Sequence, residues 1–225
     1  MTSLILASAS PRRLTLLHQL GYAPEVIATD VDESPRPGES PDTLALRLAH
    51  SKGLAAATAR PEAVILAADT VVALGDRTFG KPSDYEEAVQ MYTVLGGVWH
   101  QVHTAVAVLH RGRVDQRLCS SAVRLRPLSS AEMRSYWDTG EPVDKAGAYA
   151  VQGIGAVFVS GLQGSYSGVM GLPLFETAEM LAACGLSPLA SQDIHERRTA
   201  DQRHPPGNPC RAGGQRRPSG TPGRT

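Results

Sequence analysis

The sequence predicts an α/β fold, a mixed, partly antiparallel twisted sheet flanked by helices. Three observations carry that expectation. Short apolar runs alternate with stretches of helical period through the first hundred residues. Two long strand-like runs, about 99–110 and 113–125, meet at the turn Arg111-Gly112. Finally, the helical stretches open on Ser, Asp or Pro and close on Gly, where caps belong.

Taken in order, Leu4-Ile5-Leu6-Ala7 is a short apolar run suited to a buried strand. Ser10 then offers an N-cap and Pro11 suits the first helical position. Leu16, Leu17 and Leu20 follow at helical spacing up to Gly21. Glu25–Thr29 reads as a strand, and Asp30-Val31-Asp32-Glu33 opens a proline-rich loop. Ser40 is the expected cap of a second helix, with Pro41 at its first position and Leu44, Leu48 and Ala55 among its apolar residues, running to about Ala59. Val64–Ala68 is a continuous apolar strand that ends in Asp69-Thr70. Val71–Leu74, the turn Gly75-Asp76-Arg77 and Thr78-Phe79 suggest a hairpin. Ser83 or Asp84 starts a third helix that Gly96-Gly97 ends, and Ser129 or Ser130 starts a fourth reaching Gly140. After a glycine-rich loop come a strand at Ala156–Ser160 and a last helix at Leu174–Ala183, stopped by Gly185.

A chain of 225 residues, 42% hydrophobic, can bury one substantial core. One folded domain is expected at residues 1–189. Residues 190–225 hold five prolines, five glycines and seven arginines, with Ile194 as their one large aliphatic residue. Such a tail cannot offset its ordering entropy and is expected to be disordered. It also masks a charge asymmetry. Its seven arginines face three acids, a net of +4, so in a chain of net charge zero residues 1–189 carry −4. A net negative body argues against general nucleic-acid binding. Cys119, Cys184 and Cys210 are odd in number and widely spaced, which implies neither a disulfide framework nor a zinc site and fits a reducing cytoplasm. The amino terminus lacks the features of a signal peptide, and no run approaches the ~20 apolar residues of a membrane span. A cytoplasmic protein without membrane partners is expected.

Chemistry is foreshadowed first by Ser8-Ala9-Ser10-Pro11-Arg12-Arg13. A helix N-terminus carries roughly +0.5 charge, so two arginines in its first turn are unfavourable unless an anion joins them. The plain alternative is two solvated arginines on an ordinary strand–helix turn. Against nineteen arginines the chain uses three lysines, Lys52, Lys81 and Lys145, two of them in Gly- or Pro-marked loops where sites tend to be built. Solvated side chains remain the alternative here too. Asp69, at the carboxyl end of an apolar strand, occupies the usual ligand edge of an open α/β sheet, or else caps a turn. Glu33 is a second candidate acid, and Asp144 is expected to orient Lys145 or cap its loop. His100 and His103 have no accompanying metal-binding pattern and read as structural. Neither G-x-x-x-x-G-K-[ST] nor G-x-G-x-x-G occurs, which disfavours the P-loop and dinucleotide-binding readings. The residues alone lead to an α/β enzyme for an anionic ligand, with phosphoryl chemistry around Mg²⁺ the best match.

Ser8-Ala9-Ser10-Pro11-Arg12-Arg13, Val31-Asp32-Glu33, Ala68-Asp69-Thr70, Gly80-Lys81-Pro82 and His103-Thr104-Ala105-Val106 follow one another in that order. Glu141-Pro142-Val143-Asp144-Lys145-Ala146-Gly147-Ala148-Tyr149, Gln152-Gly153 and Val169-Met170-Gly171-Leu172-Pro173 complete the set. Over about residues 3–186 this closely resembles the Maf family of nucleoside triphosphate pyrophosphatases. The resemblance implies a Maf/ITPase-like fold, hydrolysis between the α and β phosphates with a divalent metal (Mg²⁺ or Mn²⁺), and a homodimer. It implies Asp69 as proton acceptor, with Glu33 and Asp69 holding the metal. Ser8, Arg12, Arg13, Lys52 and Lys81 would bind and neutralise the triphosphate, and Lys145, Tyr149 and Gln152 would belong to the loop over the nucleotide. Arg12, Thr70 and Gln152 match the subgroup resembling dTTP/UTP pyrophosphatases; the 7-methyl-GTP subgroup has tryptophan, glutamine and glutamate there. A neutral amide such as Gln152 can donate and accept, which suits a pyrimidine edge. Modified uridine triphosphates are plausible relatives of those substrates. A nucleotide-binding regulator of septum formation is the non-enzymatic alternative. Departures are few: Ala150-Val151 stand where Gly-Ile is usual, and Gly96 where serine is common.

Overall fold

The computed structural model describes residues 3–187. The expected boundary at residue 189 and the tail at 190–225 lie outside them. Seven strands form one mixed sheet: β1 (Leu4–Leu6), β2 (Glu25–Val26), β3 (Val64–Leu74), β4 (Arg77–Phe79), β5 (Trp99–His110), β6 (Arg113–Leu125) and β7 (Val159–Gln163), in the order β2-β1-β3-β5-β6-β7 with β4 also paired to β3. β1 runs parallel to β2 and β3; the remaining pairings are antiparallel. The helices are α1 (Pro11–Gln19), α2 (Pro41–Ala59), α3 (Tyr85–Leu95), α4 (Ser130–Trp137), α5 (Tyr166–Met170) and α6 (Leu174–Ala183).

Strand alternation divides the core. Ile65, Ala67 and Val71 of β3 pack with Leu44, Leu48 and Ala49 of α2 on one face. Val64, Leu66 and Ala68 pack with Leu16 and Leu17 of α1 and Met180 and Leu181 of α6 on the other. A third cluster joins Tyr92 of α3, Tyr136 of α4, Val72, Tyr149 and Phe158 at the far end of the sheet. Burying these apolar side chains stabilises the fold by about 1.5–3 kcal/mol for each large one.

Several expected elements are redrawn. β3 is continuous for 11 residues, so the apolar strand and the first arm of the hairpin are one element and Asp69 lies inside it rather than at its end. The reason is β5, which pairs with β3 from Ile65 to Ala73 without interruption and carries the strand past its polar pair. β2 is two residues long where five were expected. Ala156–Ser160 is largely a 3₁₀ turn (Ile154–Phe158), and its strand begins at Val159 because the partner β6 ends at Leu125. α4 stops at Trp137, short of Gly140, and α5 was not anticipated. Ser10 and Ser40 occupy the expected N-cap positions without making a side-chain cap bond, whereas Asp84 and Ser129 do cap their helices.

Candidate active site

The edge of β3 that faces β1 is only partly covered. β1 pairs with Val64, Ile65 and Leu66, and β4 pairs with Val72, Ala73 and Leu74. Ala7 donates its N–H to the Leu66 carbonyl and Val64 donates to that of Ser3, so even-numbered residues of β3 aim their backbone groups at this edge. Between the two partners, Ala68 and Thr70 therefore present backbone groups to a gap with no strand partner among the described residues. A cleft of about 630 Å³ opens there.

The same alternation sends neighbouring side chains of β3 to different helices. Asp69 turns toward α2, where Lys52 meets it: Nζ donates to Asp69 Oδ1 at 2.6 Å, and stands 2.6 Å from Glu33 Oε1. Lys52 and Asp69 are buried, while Glu33 reaches in from an exposed loop. Burial works against the Glu33 carboxylate, but the Lys52 hydrogen bond and the charges of Lys52, Lys81 and Arg13 outweigh it and hold its pKa below the ordinary value.

Thr70 turns toward α1. Arg13 is buried and spends its guanidinium on internal partners, donating to the Gly171 carbonyl (2.7 Å), Ser8 Oγ (3.0 Å) and Thr70 Oγ1 (3.1 Å). Ser8 Oγ also accepts the Ser10 N–H at 3.2 Å. The polar chain continues inward: Thr70 and Thr104 hydroxyls lie 3.0 Å apart, and Thr104 donates to the Gly168 carbonyl at 2.8 Å. Arg12, the other arginine of the first turn, pairs at 3.2 Å with Asp144, which also contacts Lys145. So the two arginines at the N-terminus of α1 are neither bare nor simply solvated. One is built into the wall of the cleft and one bridges its mouth.

The opposite wall is the segment from Lys145 to Gln152. Tyr149 is buried, its hydroxyl 2.7 Å from His100 Nε2. Burial pushes the His100 pKa down to about 4. Gly147 donates its N–H to the Gly80 carbonyl at 3.0 Å, which ties this wall to the turn carrying Lys81. Lys81 and Gln152 are exposed and line the cleft. All of Ser8, Arg12, Arg13, Glu33, Lys52, Asp69, Thr70, Lys81, Lys145, Tyr149 and Gln152 lie on one lining. Its five cations and three acids (Asp144 included) leave a positive cleft in a domain of net negative charge, which favours entry of an anion.

Thr104, His100, Tyr92, Tyr136 and Glu141 also shape the site and were not singled out from the sequence for it. Thr104 and Glu141 stand within the motifs that carry the resemblance. The tyrosines sit at apolar positions, where the signal is a phenolic hydroxyl that burial obliges to find a partner. Cys119 and Cys184 are free, and no helix among the described residues is long and apolar enough to cross a membrane.

A mixed α/β sheet with a positive cleft opening off a gap in one strand edge defines a protein that takes a small anionic ligand. The chain belongs to the family of Maf-like proteins, whose pattern it matches over residues 3–184. It is 45% identical over 195 residues to a dTTP/UTP pyrophosphatase of Methylobacillus flagellatus, covering 86% of this chain and 98% of that one. A dTTP/UTP pyrophosphatase of Myxococcus xanthus is 50% identical over 186 residues, with 82% and 94% covered. Among solved structures, the Ham1 protein of Staphylococcus aureus is similar at a TM-score of 0.42 and 15% identity, over 56% of this chain and 73% of that one.

Proposed function

We propose that this protein is a nucleoside triphosphate pyrophosphatase that hydrolyses dTTP and UTP to the monophosphate and pyrophosphate. The observation that carries the reading is the shared ammonium of Lys52, 2.6 Å from both Asp69 and Glu33 inside a cleft lined by four further cations. A polyphosphate brings charge that such a lining neutralises, and catalysis of its hydrolysis is mostly positioning and charge stabilisation.

In this reading Asp69 accepts the proton of the attacking water. Lys52 holds one oxygen of the carboxylate, Oδ1, and the other remains for the water. Arg12, Lys81 and Lys145 bind the phosphates. Arg13 and Ser8 hold the strand–helix turn that carries Arg12. Thr70 and Gln152 sit where the base would be read. Glu33 and Asp69 suit a divalent cation by donor chemistry: both are hard oxygen ligands and both converge on one point, now shared through Lys52. Among the described residues no group of three or more metal-ligating side chains gathers. That fits Mg²⁺ or Mn²⁺ held by one or two carboxylates together with substrate phosphates. Such an ion, when bound, supplies Lewis-acid neutralisation of the phosphate oxygens. A cytoplasmic homodimer with no nucleic-acid or membrane partner completes the proposal.

The test is a panel of dTTP, UTP, 7-methyl-GTP and the common triphosphates with Mg²⁺ or Mn²⁺, with products identified. Pyrophosphate and monophosphate from dTTP and UTP are expected. Release of inorganic phosphate alone, or binding without turnover, would overturn the reading.

A further inference from the structure

Behind the wall formed by residues 145–152 lies a hydrogen-bonded pair that does not itself line the cleft, Tyr136 of α4 and Glu141. The Tyr136 hydroxyl donates to Glu141 Oε1 at 2.7 Å and accepts the Ala150 N–H at 3.1 Å. The Glu141 carboxylate also accepts the N–H groups of Ile154 at 2.8 Å and Gly155 at 2.9 Å. One phenol and one carboxylate thus hold three backbone donors on either side of Gln152. The fit is close enough to dictate sequence. A Cβ at position 153 would stand 2.0 Å from Glu141 Oε2, and one at 155 would stand 2.3 Å from Tyr136 Oη and 2.6 Å from the Ala150 carbonyl.

The same segment is pinned from its other end. The Tyr92 hydroxyl donates to the Ala148 carbonyl at 2.8 Å, and Ala148 adopts a positive φ of 60°. A non-glycine residue keeps that conformation only where its surroundings enforce it. Both partners in each of these anchors are groups of the protein itself.

We propose that Tyr136 and Glu141 are positioning residues for nucleotide selectivity, holding residues 149–152 in their base-reading shape before substrate arrives. The segment is then a fixed platform, not a lid that folds over its ligand. Fixing it in advance removes an ordering cost from the correct nucleotide and prevents the wall from remodelling around a wrong one. Asp69, Lys52, Arg12 and Lys81 lie on other elements, and Lys145, the phosphate-binding cation on this wall, bonds the Glu141 backbone carbonyl rather than its carboxylate. The pair therefore governs which nucleotide is accepted and leaves the hydrolytic step to those residues. The proposal rests on reading the cleft as a nucleotide site, and the two can fail separately.

The experiment compares wild type, Tyr136→Phe and Glu141→Gln on UTP, dTTP, CTP and GTP. Phenylalanine deletes one oxygen and strands the buried Ala150 N–H; glutamine keeps the shape of Glu141 but loses an acceptor. In each variant the kcat/KM preference for UTP over CTP should fall about tenfold, mainly through KM, with kcat for UTP within about threefold of wild type. Folded variants that keep the wild-type preference, or that lose kcat with preference intact, overturn the proposal. Hydrogen exchange of the unaltered protein decides the matter should a variant not fold. The amides of Ala150, Ile154 and Gly155 should exchange slowly without nucleotide; protection that arises only on adding UTP overturns the fixed platform. Absence of pyrophosphate release by wild type would instead sink the nucleotide reading itself.

Discussion

At Lys52 one ammonium serves two carboxylates, and only one of these, Asp69, is buried with it. Asp69→Asn keeps the size of the side chain and a hydrogen-bond acceptor for Lys52, and removes the charge that would take a proton. Turnover should fall by about 10²–10⁴-fold while nucleotide affinity stays within a few-fold, read by product release and calorimetric titration. Wild-type turnover in that variant would exclude Asp69 as the base. His100 offers a second residue-scale outcome. Burial lowers its pKa from 6.5 to about 4 in the fold, so below pH 6.5 the unfolded chain takes up a proton that the native state refuses. Its stabilising contribution is full above pH 6.5 and is lost as pH falls toward 4. Denaturation midpoints at pH 7 and 4.5 should therefore drop less with acid in His100→Gln than in wild type. The three lysines stood out in the sequence by their rarity and Asp69 by its place after an apolar run, whereas Glu33 was one acid of an acidic loop until the family motifs were read. His100 was legible only as a structural histidine. Nothing in its neighbours announces that the chain will return, after β6 and α4, to set Tyr149 against it.

Among the elements, β3 best shows what periodicity can and cannot deliver. Its apolar run and its polar Asp69-Thr70 are plain in the sequence, and the polar pair was read as an end. The strand continues because pairing with β5 supplies hydrogen bonds regardless of side-chain polarity. A polar pair inside a strand is costly unless each member finds a partner, and Lys52 and Arg13 from two different helices provide them. The helices were better defined, since their caps and stops are local chemistry. The loop from Glu141 to Phe158 was the least legible, because backbone bonds to distant tyrosine and glutamate side chains, rather than local propensity, decide its path. Helix α4 links these themes. Ser129 and Glu132 form a reciprocal capping box at its start, and the helix carries Tyr136. Ser129→Ala should cost about 1 kcal/mol in chemical denaturation, with the preference among nucleotides unchanged so long as the helix stays folded.

For the whole molecule, charge is distributed to a purpose: the domain is net negative, yet its cleft is lined by five cations and three acids. Association with a polyphosphate is thereby steered to one place on a surface that otherwise repels it. The family match ends at residue 184, short of the arginine-rich tail. Truncation after Ser187 should accordingly leave kcat, KM and the thermal midpoint unchanged within error; a loss of activity would give the tail a part in the site. The gap in the β3 edge also bears on how the chain stays in solution. An open strand edge is a template onto which another chain can add. Here the opening spans only Ala68 and Thr70 between two paired stretches, too short for a foreign strand to lodge. β4 thus acts as a guard as well as a boundary of the cleft. Arg77→Pro, which removes a ladder donor opposite Leu74, should unzip β4 and lengthen the bare edge to the end of β3. Light scattering should then rise with protein concentration, first near the temperature at which the hairpin frays. The opening that admits a nucleotide is thus held below the length at which it would admit another copy of the chain.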